Sequence, residues 1–173
     1  MANINSHEIT YSADGVDMNG YIAWDSSIEG ERPGILVVHE WWGLGDFVRG
    51  RADALAALGY TAMAVDMYGG GKTADNPDDA GALMTGLLDD LAGVRARFNA
   101  ALAELRAHST VDAANTAAIG YCMGGGIVLH MARYGSDLSA VASFHGSLPL
   151  GVAPEGEGGD VAGRIGVYHG EDD

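Results

Sequence analysis

The only cysteine of the chain lies in a glycine-bounded motif that suits a nucleophile. The motif is GYCMG at residues 120–124, and it joins a predicted strand to a predicted helix. A G-x-C-x-G pattern at such a junction is typical of a nucleophile elbow, a strained turn that needs small residues two positions before and two after the reactive one. We therefore predict that Cys122 is a nucleophile. The alternative is a small buried cysteine without reactivity.

The turn would also prepare the sulfur for reaction. It places the sulfur at a helix N-terminus, where unpaired N–H groups and the helix dipole favour the thiolate over the thiol. The Met123 N–H would point toward the oxyanion that develops when the sulfur attacks a carbonyl group. We therefore predict Met123 as one donor of an oxyanion hole, the set of N–H groups that binds this negative oxygen.

A second motif, HEWWG at residues 39–43, follows a nearly all-apolar segment that is typical of a buried strand. The loop after such a strand is where a fold with a nucleophile elbow forms the rest of its oxyanion hole from backbone N–H groups. Trp41 is the candidate for that donor. Glu40 would lie at the same sheet edge as Cys122 and could accept the thiol proton or control its ionisation. The alternative for Glu40 is a solvated loop carboxylate.

A third motif, HGEDD at residues 169–173, follows the last predicted strand. Catalytic triads on sheets with such an elbow occur in the chain order nucleophile, acid, histidine. An acid after the elbow is therefore in the expected place. The alternative is a set of solvated acids at the end of the chain. With the elbow in place, we favour a catalytic acid.

These motifs depend on elements that the hydrophobic pattern predicts. Residues 7–12 and 16–24 flank a turn and predict a hairpin. Further strands are predicted at residues 34–39, 60–65, 116–121, 138–144 and 164–169, and helices at 46–58 with Asp46 as cap, from 83 to about 108, and at 123–134. The alternation predicts an α/β fold with a mostly parallel sheet, helices on both faces, and an active site beyond the carboxyl ends of the strands.

Composition limits the classes of function. The 173 residues, 47% of them hydrophobic, suit one domain that spans residues 1–173. A formal net charge of −15 argues against nucleic acid and anionic membranes as partners. One cysteine cannot form an internal disulfide, the N-terminus resembles no signal peptide, and no window approaches the roughly 20 apolar residues that cross a bilayer. We expect a cytoplasmic protein.

Two ligand-binding motifs are incomplete. The sequence GGGKT at residues 69–73 resembles a phosphate-binding loop, but Asp66 occupies the position where G-x-x-x-x-G-K-[ST] requires its first glycine. HEWWG begins like the zinc motif H-E-x-x-H, but Gly43 replaces the second ligand. We therefore predict neither a nucleotide, nor a metal, nor another cofactor.

Together the motifs HEWWGL, GYCMGG and HGEDD resemble the dienelactone hydrolase family of α/β-hydrolases, in family order and over almost the whole chain. GYCMGG is the specific part, because most α/β-hydrolases carry serine at the elbow. The resemblance implies an α/β-hydrolase fold and hydrolysis of an ester or lactone through a thioester on the cysteine. Its substrates would be dienelactones or small carboxylic esters.

The resemblance also implies individual roles. Cys122 would be the nucleophile and Glu40 the carboxylate that touches the resting thiol, while the N–H groups of Met123 and Trp41 would form the oxyanion hole. Asp173 would be the triad acid. It is preferred to Asp172 because the family's acid usually follows the glycine of its HG-x-x-D stretch by three residues.

Two departures from the family pattern limit these implications. The family's histidine lies after an eighth strand, beyond residue 173, so no base is assigned; the positions of His39 and His169 resemble those of residues that shape loops. We expect a C-terminally truncated domain, lacking the last strand and helix and inactive alone, whose exposed sheet edge favours homo-oligomers. The alternative function is a non-catalytic binding or regulatory remnant. In the family an arginine after the fourth strand binds the substrate carboxylate, but here residues 66–81 offer only Lys72. Lysine and arginine are not equivalent in binding a carboxylate, so a broader carboxylesterase is equally compatible.

Overall fold

The computed structural model describes residues 2–13, 15–146 and 160–171. Within them, strands and helices alternate after an N-terminal hairpin. The elements are β1 (Ile4–Ala13), β2 (Val16–Asp25), β3 (Arg32–Val38), α1 (Asp46–Ala57), β4 (Thr61–Val65), α2 (Pro77–Leu88), α3 (Leu91–Ala107), β5 (Val111–Tyr121), α4 (Met123–Arg133), β6 (Ala140–Phe144) and β7 (Arg164–Tyr168).

The strands form one sheet in the order β1-β2-β4-β3-β5-β6-β7. The hairpin strands β1 and β2 are antiparallel, β2 joins β4 antiparallel, and the strands from β4 to β7 are parallel. Every residue of β4 is buried, as its continuous apolar sequence predicts for a strand covered on both faces. The parallel part brings the carboxyl ends of β3 to β7 to one edge of the sheet.

Helices cover both faces of the sheet, which confirms the predicted architecture. On one face α1 packs through small side chains, and the buried set there comprises Ala23, Val37, Leu44, Val48, Ala52, Ala56, Ala62 and Ala64. The opposite face carries α3 and α4 on a core of larger side chains, among them Leu36, Met63, Phe98, Leu105, Ile127 and Met131. No helix in the described part of the chain is long and apolar enough to cross a membrane.

The single long helix predicted from residue 83 to about 108 is wrong, because the structure has two helices there. The break lies at Asp89 and Asp90, between α2 and α3. The Asp90 side chain accepts a hydrogen bond from the Gly93 N–H at 2.9 Å and caps α3. An aspartate in this role satisfies an N–H that the first turn cannot. The apolar periodicity continues across the break and therefore did not reveal it.

Several other boundaries differ by a few residues from the prediction, and two of them have a clear physical reason. The N-cap of α1 is Gly45 and not Asp46, which lies in the first helical turn, where a carboxylate still interacts favourably with the helix dipole. β5 begins at Val111 instead of residue 116. Its first residues pair with Arg32 and Pro33 before a register shift, and such an irregular start leaves no simple alternation in the sequence.

Candidate active site

Cys122 lies at a sharp turn between β5 and α4. Its backbone has φ 53° and ψ −118°, the conformation of the first central residue of a type II′ turn, which glycine usually occupies. The Cys122 N–H donates to the Phe144 carbonyl at 3.0 Å, and the Cys122 carbonyl accepts from the Gly126 N–H at 3.2 Å. The structure therefore places the half-buried cysteine in a strained turn that its neighbours hold on both sides.

The two glycines of the elbow allow backbone segments to meet. A Cβ atom at Gly120 would lie 2.1 Å from the Gly124 carbonyl oxygen, and one at Gly124 would lie 2.4 Å from the Val38 oxygen and 2.5 Å from the His39 oxygen. No side chain fits at either position. Because these glycines have no Cβ atom, the first turn of α4 packs directly against the end of β3. The Met123 N–H is thereby brought close to the start of the HEWWG loop.

Strand register brings the predicted motifs to one level of the sheet edge. Val38 of β3 pairs with Gly120 of β5, and Glu40 and Cys122 each come two residues after this pair. The two residues are therefore at the same position beyond the ends of neighbouring strands. Burial raises the pKa of Tyr121, the residue before Cys122; the charge of Arg51 opposes the shift and the Glu40 carboxylate adds to it. The charge of Glu40 therefore acts on Tyr121, the residue next to Cys122.

The ends of β6 and β7 reach the same edge. Tyr121 pairs with Phe144 and Phe144 with Tyr168, so His145 and His169 follow at the next level. His145 is exposed and has φ 41°. The predicted triad acid Asp173 and its alternative Asp172 lie outside the described residues.

Three successive carbonyl groups of the HEWWG loop are hydrogen-bonded. His39 Nδ1 donates to the Glu40 carbonyl, the Tyr68 hydroxyl donates to the Trp41 carbonyl at 2.7 Å, and the Ala74 N–H donates to the Trp42 carbonyl at 3.0 Å. The loop that follows β4 therefore holds the loop that follows β3. This is the loop whose Trp41 N–H is the predicted second oxyanion donor.

His39 is fully buried and links the two loops. Its Nε2 accepts a hydrogen bond from the Met67 N–H at 3.1 Å, so the proton is on Nδ1. Burial lowers the pKa of His39, which keeps the ring neutral. The buried neutral ring therefore stabilises the fold fully above the unfolded-state pKa of about 6.5. This stabilisation is lost as the pH falls below that value, because the unfolded chain then takes up a proton more readily than the folded one. These contacts agree with a loop-shaping role.

Tyr68 is a candidate functional residue that the sequence did not reveal. It is 5% exposed, and its hydroxyl, besides binding the Trp41 carbonyl, lies 3.5 Å from Met123 Sδ. Burial raises the pKa of Tyr68, and the nearby Cys122 adds to the shift. The hydroxyl therefore stays protonated and can donate. The only sequence signal was an Asp-x-aromatic stretch before three glycines, directly after a buried strand.

Asp66 holds the loop that carries Tyr68. This fully buried carboxylate accepts four backbone N–H bonds, from Asn19 at 3.1 Å, Tyr68 at 3.0 Å, Gly69 at 2.8 Å and Gly71 at 2.8 Å. A buried carboxylate is tolerated when hydrogen bonds replace its lost hydration. Its four donors come from both β2 and the turn after β4.

We expect Asp66→Asn to destabilise the fold by about 2 kcal/mol, because an amide nitrogen would face backbone N–H groups that need an acceptor. Urea unfolding followed by circular dichroism measures the change. Asp17→Asn, the same substitution at an exposed carboxylate, is the matched control. Equal stability of the Asp66 and Asp17 variants would contradict the role of Asp66.

The remaining candidates for ligand binding are few. Lys72 is exposed, and its carbonyl oxygen lies beside Gly43, because a Cβ atom on that glycine would be 2.4 Å away. Within residues 2–13, 15–146 and 160–171, no group of three or more His, Cys, Asp or Glu side chains is placed to hold a metal ion.

The sheet order, the helices on both faces and the strand-to-helix turn at Cys122 define an α/β-hydrolase fold. Within that class, the dienelactone hydrolase family model matches residues 18–173, and the chain belongs to this family. The resemblance inferred from the three motifs is thus confirmed.

Individual relatives agree with the assignment. Protein usf of Aquifex pyrophilus is 35% identical over 146 residues, which cover 80% of this chain and 60% of that protein. The solved structure of m3DLH is 39% identical with a TM-score of 0.90, covering 98% of this chain and 70% of that one. That of P91, described as a dienelactone hydrolase-like promiscuous phosphotriesterase from metagenomic libraries, is 36% identical with a TM-score of 0.92, covering 100% and 71%. The chain thus spans about 60% of the length of Protein usf.

Proposed function

We propose that this chain carries the nucleophilic part of a hydrolase that cleaves ester or lactone bonds through a thioester on Cys122. The observation that supports this most directly is the backbone of Cys122, which has φ 53° although it is not glycine. Such strain persists where the surrounding structure enforces it, and it is concentrated at functional sites. Here it puts the sulfur at the N-terminus of α4, at the sheet edge where β3 ends and HEWWG begins.

The chemistry follows from the groups at that edge. The Cys122 thiolate attacks the carbonyl carbon, a C–S bond forms, and the carbonyl electron pair moves to the oxygen. The N–H groups of Met123 and Trp41 stabilise that oxyanion. When it collapses, the C–O bond to the alcohol or ring oxygen breaks, that oxygen takes up the proton that the thiol gave up, and a thioester remains. Water then attacks the thioester and restores the thiol.

The carboxylates have separate roles in this proposal. Glu40, whose charge acts on the residue before Cys122, accepts or holds the thiol proton. Asp173 orients the histidine that activates water, as the acid of a triad does. No histidine of residues 1–173 is assigned that task.

The substrate class is a small carboxylic ester or a lactone. Near the HEWWG loop the described residues offer Lys72 for a substrate carboxylate, and a lysine lacks the bidentate fork of arginine. Esters without a carboxylate are therefore included. Because P91 is described as a promiscuous phosphotriesterase, a nitrophenyl phosphotriester belongs in the same substrate panel.

The test is a single-turnover reaction with p-nitrophenyl acetate. We expect a burst of about one nitrophenolate per chain and no further turnover, because acylation needs the Cys122 thiolate and the oxyanion donors, whereas turnover also needs the unassigned histidine that activates water. Mass spectrometry should find the acetyl group on the peptide that contains Cys122. Since Cys122 is the only cysteine, prior alkylation with iodoacetamide blocks one thiol and should remove the burst. The alternative, a non-catalytic remnant, predicts no burst and no acetylated cysteine.

A further inference from the structure

We propose that His39 and Tyr68 are positioning residues that fix the two peptide groups on either side of Trp41 and so aim its N–H at the oxyanion. This inference rests on the proposed function, because it assigns the N–H of Trp41 a task. Two buried rings, His39 and Tyr68, each donate a hydrogen bond to one of two neighbouring carbonyl groups.

The His39 bond acts on the donor peptide itself. The Glu40 carbonyl and the Trp41 N–H belong to one planar amide, so a bond that holds the carbonyl also sets the direction of the N–H. A hydrogen bond to the carbonyl further polarises the amide and strengthens its N–H as a donor. Because Nε2 of His39 accepts the hydrogen bond from the Met67 N–H, the ring proton is on Nδ1. Nδ1 can then donate a hydrogen bond to the Glu40 carbonyl.

The Tyr68 bond acts on the following peptide. Its hydroxyl donates to the Trp41 carbonyl at 2.7 Å. With the peptides before and after Trp41 both held, the two backbone torsions of this residue are restrained. An N–H held in place before the reaction needs no reorganisation when negative charge develops.

The two rings are themselves held. Their centroids lie 4.9 Å apart, and the Arg97 guanidinium donates to the Met67 carbonyl at 2.7 Å and to the Tyr68 carbonyl at 3.3 Å. The Tyr68 hydroxyl also lies 3.5 Å from Met123 Sδ, on the residue that carries the other oxyanion donor. One phenol thus contacts both residues of the oxyanion hole.

The test compares two reactions of the same thiol in the full chain. Acylation of Cys122 by p-nitrophenyl acetate develops an oxyanion, whereas alkylation by iodoacetamide displaces iodide and develops none. Tyr68→Phe should slow acylation about tenfold, less than the roughly 100- to 1000-fold cost of losing an oxyanion donor, and leave alkylation unchanged. The matched control is Tyr21→Phe, whose hydroxyl donates to Asp53 Oδ1, also at 2.7 Å, away from the site. It should change neither rate.

A pair of His39 variants tests the other bond. His39→Asn keeps an amide donor near the place of Nδ1 and should retain much of the acylation rate, while His39→Leu removes the donor and should lose about tenfold or more. The ratio of acylation to alkylation corrects for misfolded protein, since a collapsed site alters both rates. An unchanged ratio in Tyr68→Phe and His39→Leu would overturn the inference. Absence of acylation in the unaltered chain would instead refute the proposed function.

Discussion

Cys122→Ala is expected to abolish the nitrophenolate burst and the acetylated peptide while leaving the fold intact. No other thiol exists in the chain, and a methyl group cannot attack a carbonyl carbon. Cys122→Ser should be nearly as inactive, because a hydroxyl is a weak nucleophile unless a positioned base removes its proton. Burst kinetics and intact-protein mass spectrometry measure both variants. A full burst from Cys122→Ala would place the reaction at another residue.

A third replacement separates chemistry from strain. Cys122→Gly lacks the thiol, like the alanine variant, but glycine adopts φ 53° without the steric cost of a Cβ atom. The alanine and glycine variants should therefore be equally unreactive, and the glycine variant should be more stable by about 1 kcal/mol. Urea unfolding compares the two. If the alanine variant were the more stable, the turn would not be a source of strain.

Gly124→Ala is expected to have the second largest effect, on stability and acylation together. The new Cβ atom would meet the Val38 and His39 oxygens at 2.4 and 2.5 Å, and neither is a flexible side chain. Separating these backbones should cost roughly 3 kcal/mol. It should also slow acylation about 100-fold, because it moves the Met123 N–H relative to the loop that carries Trp41.

The matched control for that variant is Gly86→Ala within α2. A Cβ atom there meets nothing within 4 Å, so alanine should stabilise the helix by about 0.5–1 kcal/mol. It should leave acylation unchanged. Thermal unfolding measures the stability of both variants, and the burst rate measures their acylation. A Gly124→Ala protein as stable as the Gly86→Ala protein would show that α4 and β3 do not meet as described.

The hydrophobic pattern was sufficient to predict the architecture. Continuous apolar runs marked the buried parallel strands, and glycine and aspartate marked the turns between them, because both signals are local. The break between α2 and α3 was missed for a related reason. An N-cap at Asp90 is a local signal too, but the apolar stripe that packs both helices on the core runs across it and dominates the pattern.

For the site, the chain by itself determined the nucleophile candidate, the two loops beside it and the family, because an elbow needs particular small residues at fixed spacing. Only the tertiary structure showed what each glycine makes room for. Only it revealed that Asp66 gathers four N–H groups from separate elements and that His39 and Tyr68 hold the carbonyls around Trp41. Two of these contacts, from the Asn19 N–H to Asp66 and from the Tyr68 hydroxyl to the Trp41 carbonyl, join residues 47 and 27 positions apart. They arise from how β3 and β4 end side by side, which no local pattern of residues expresses.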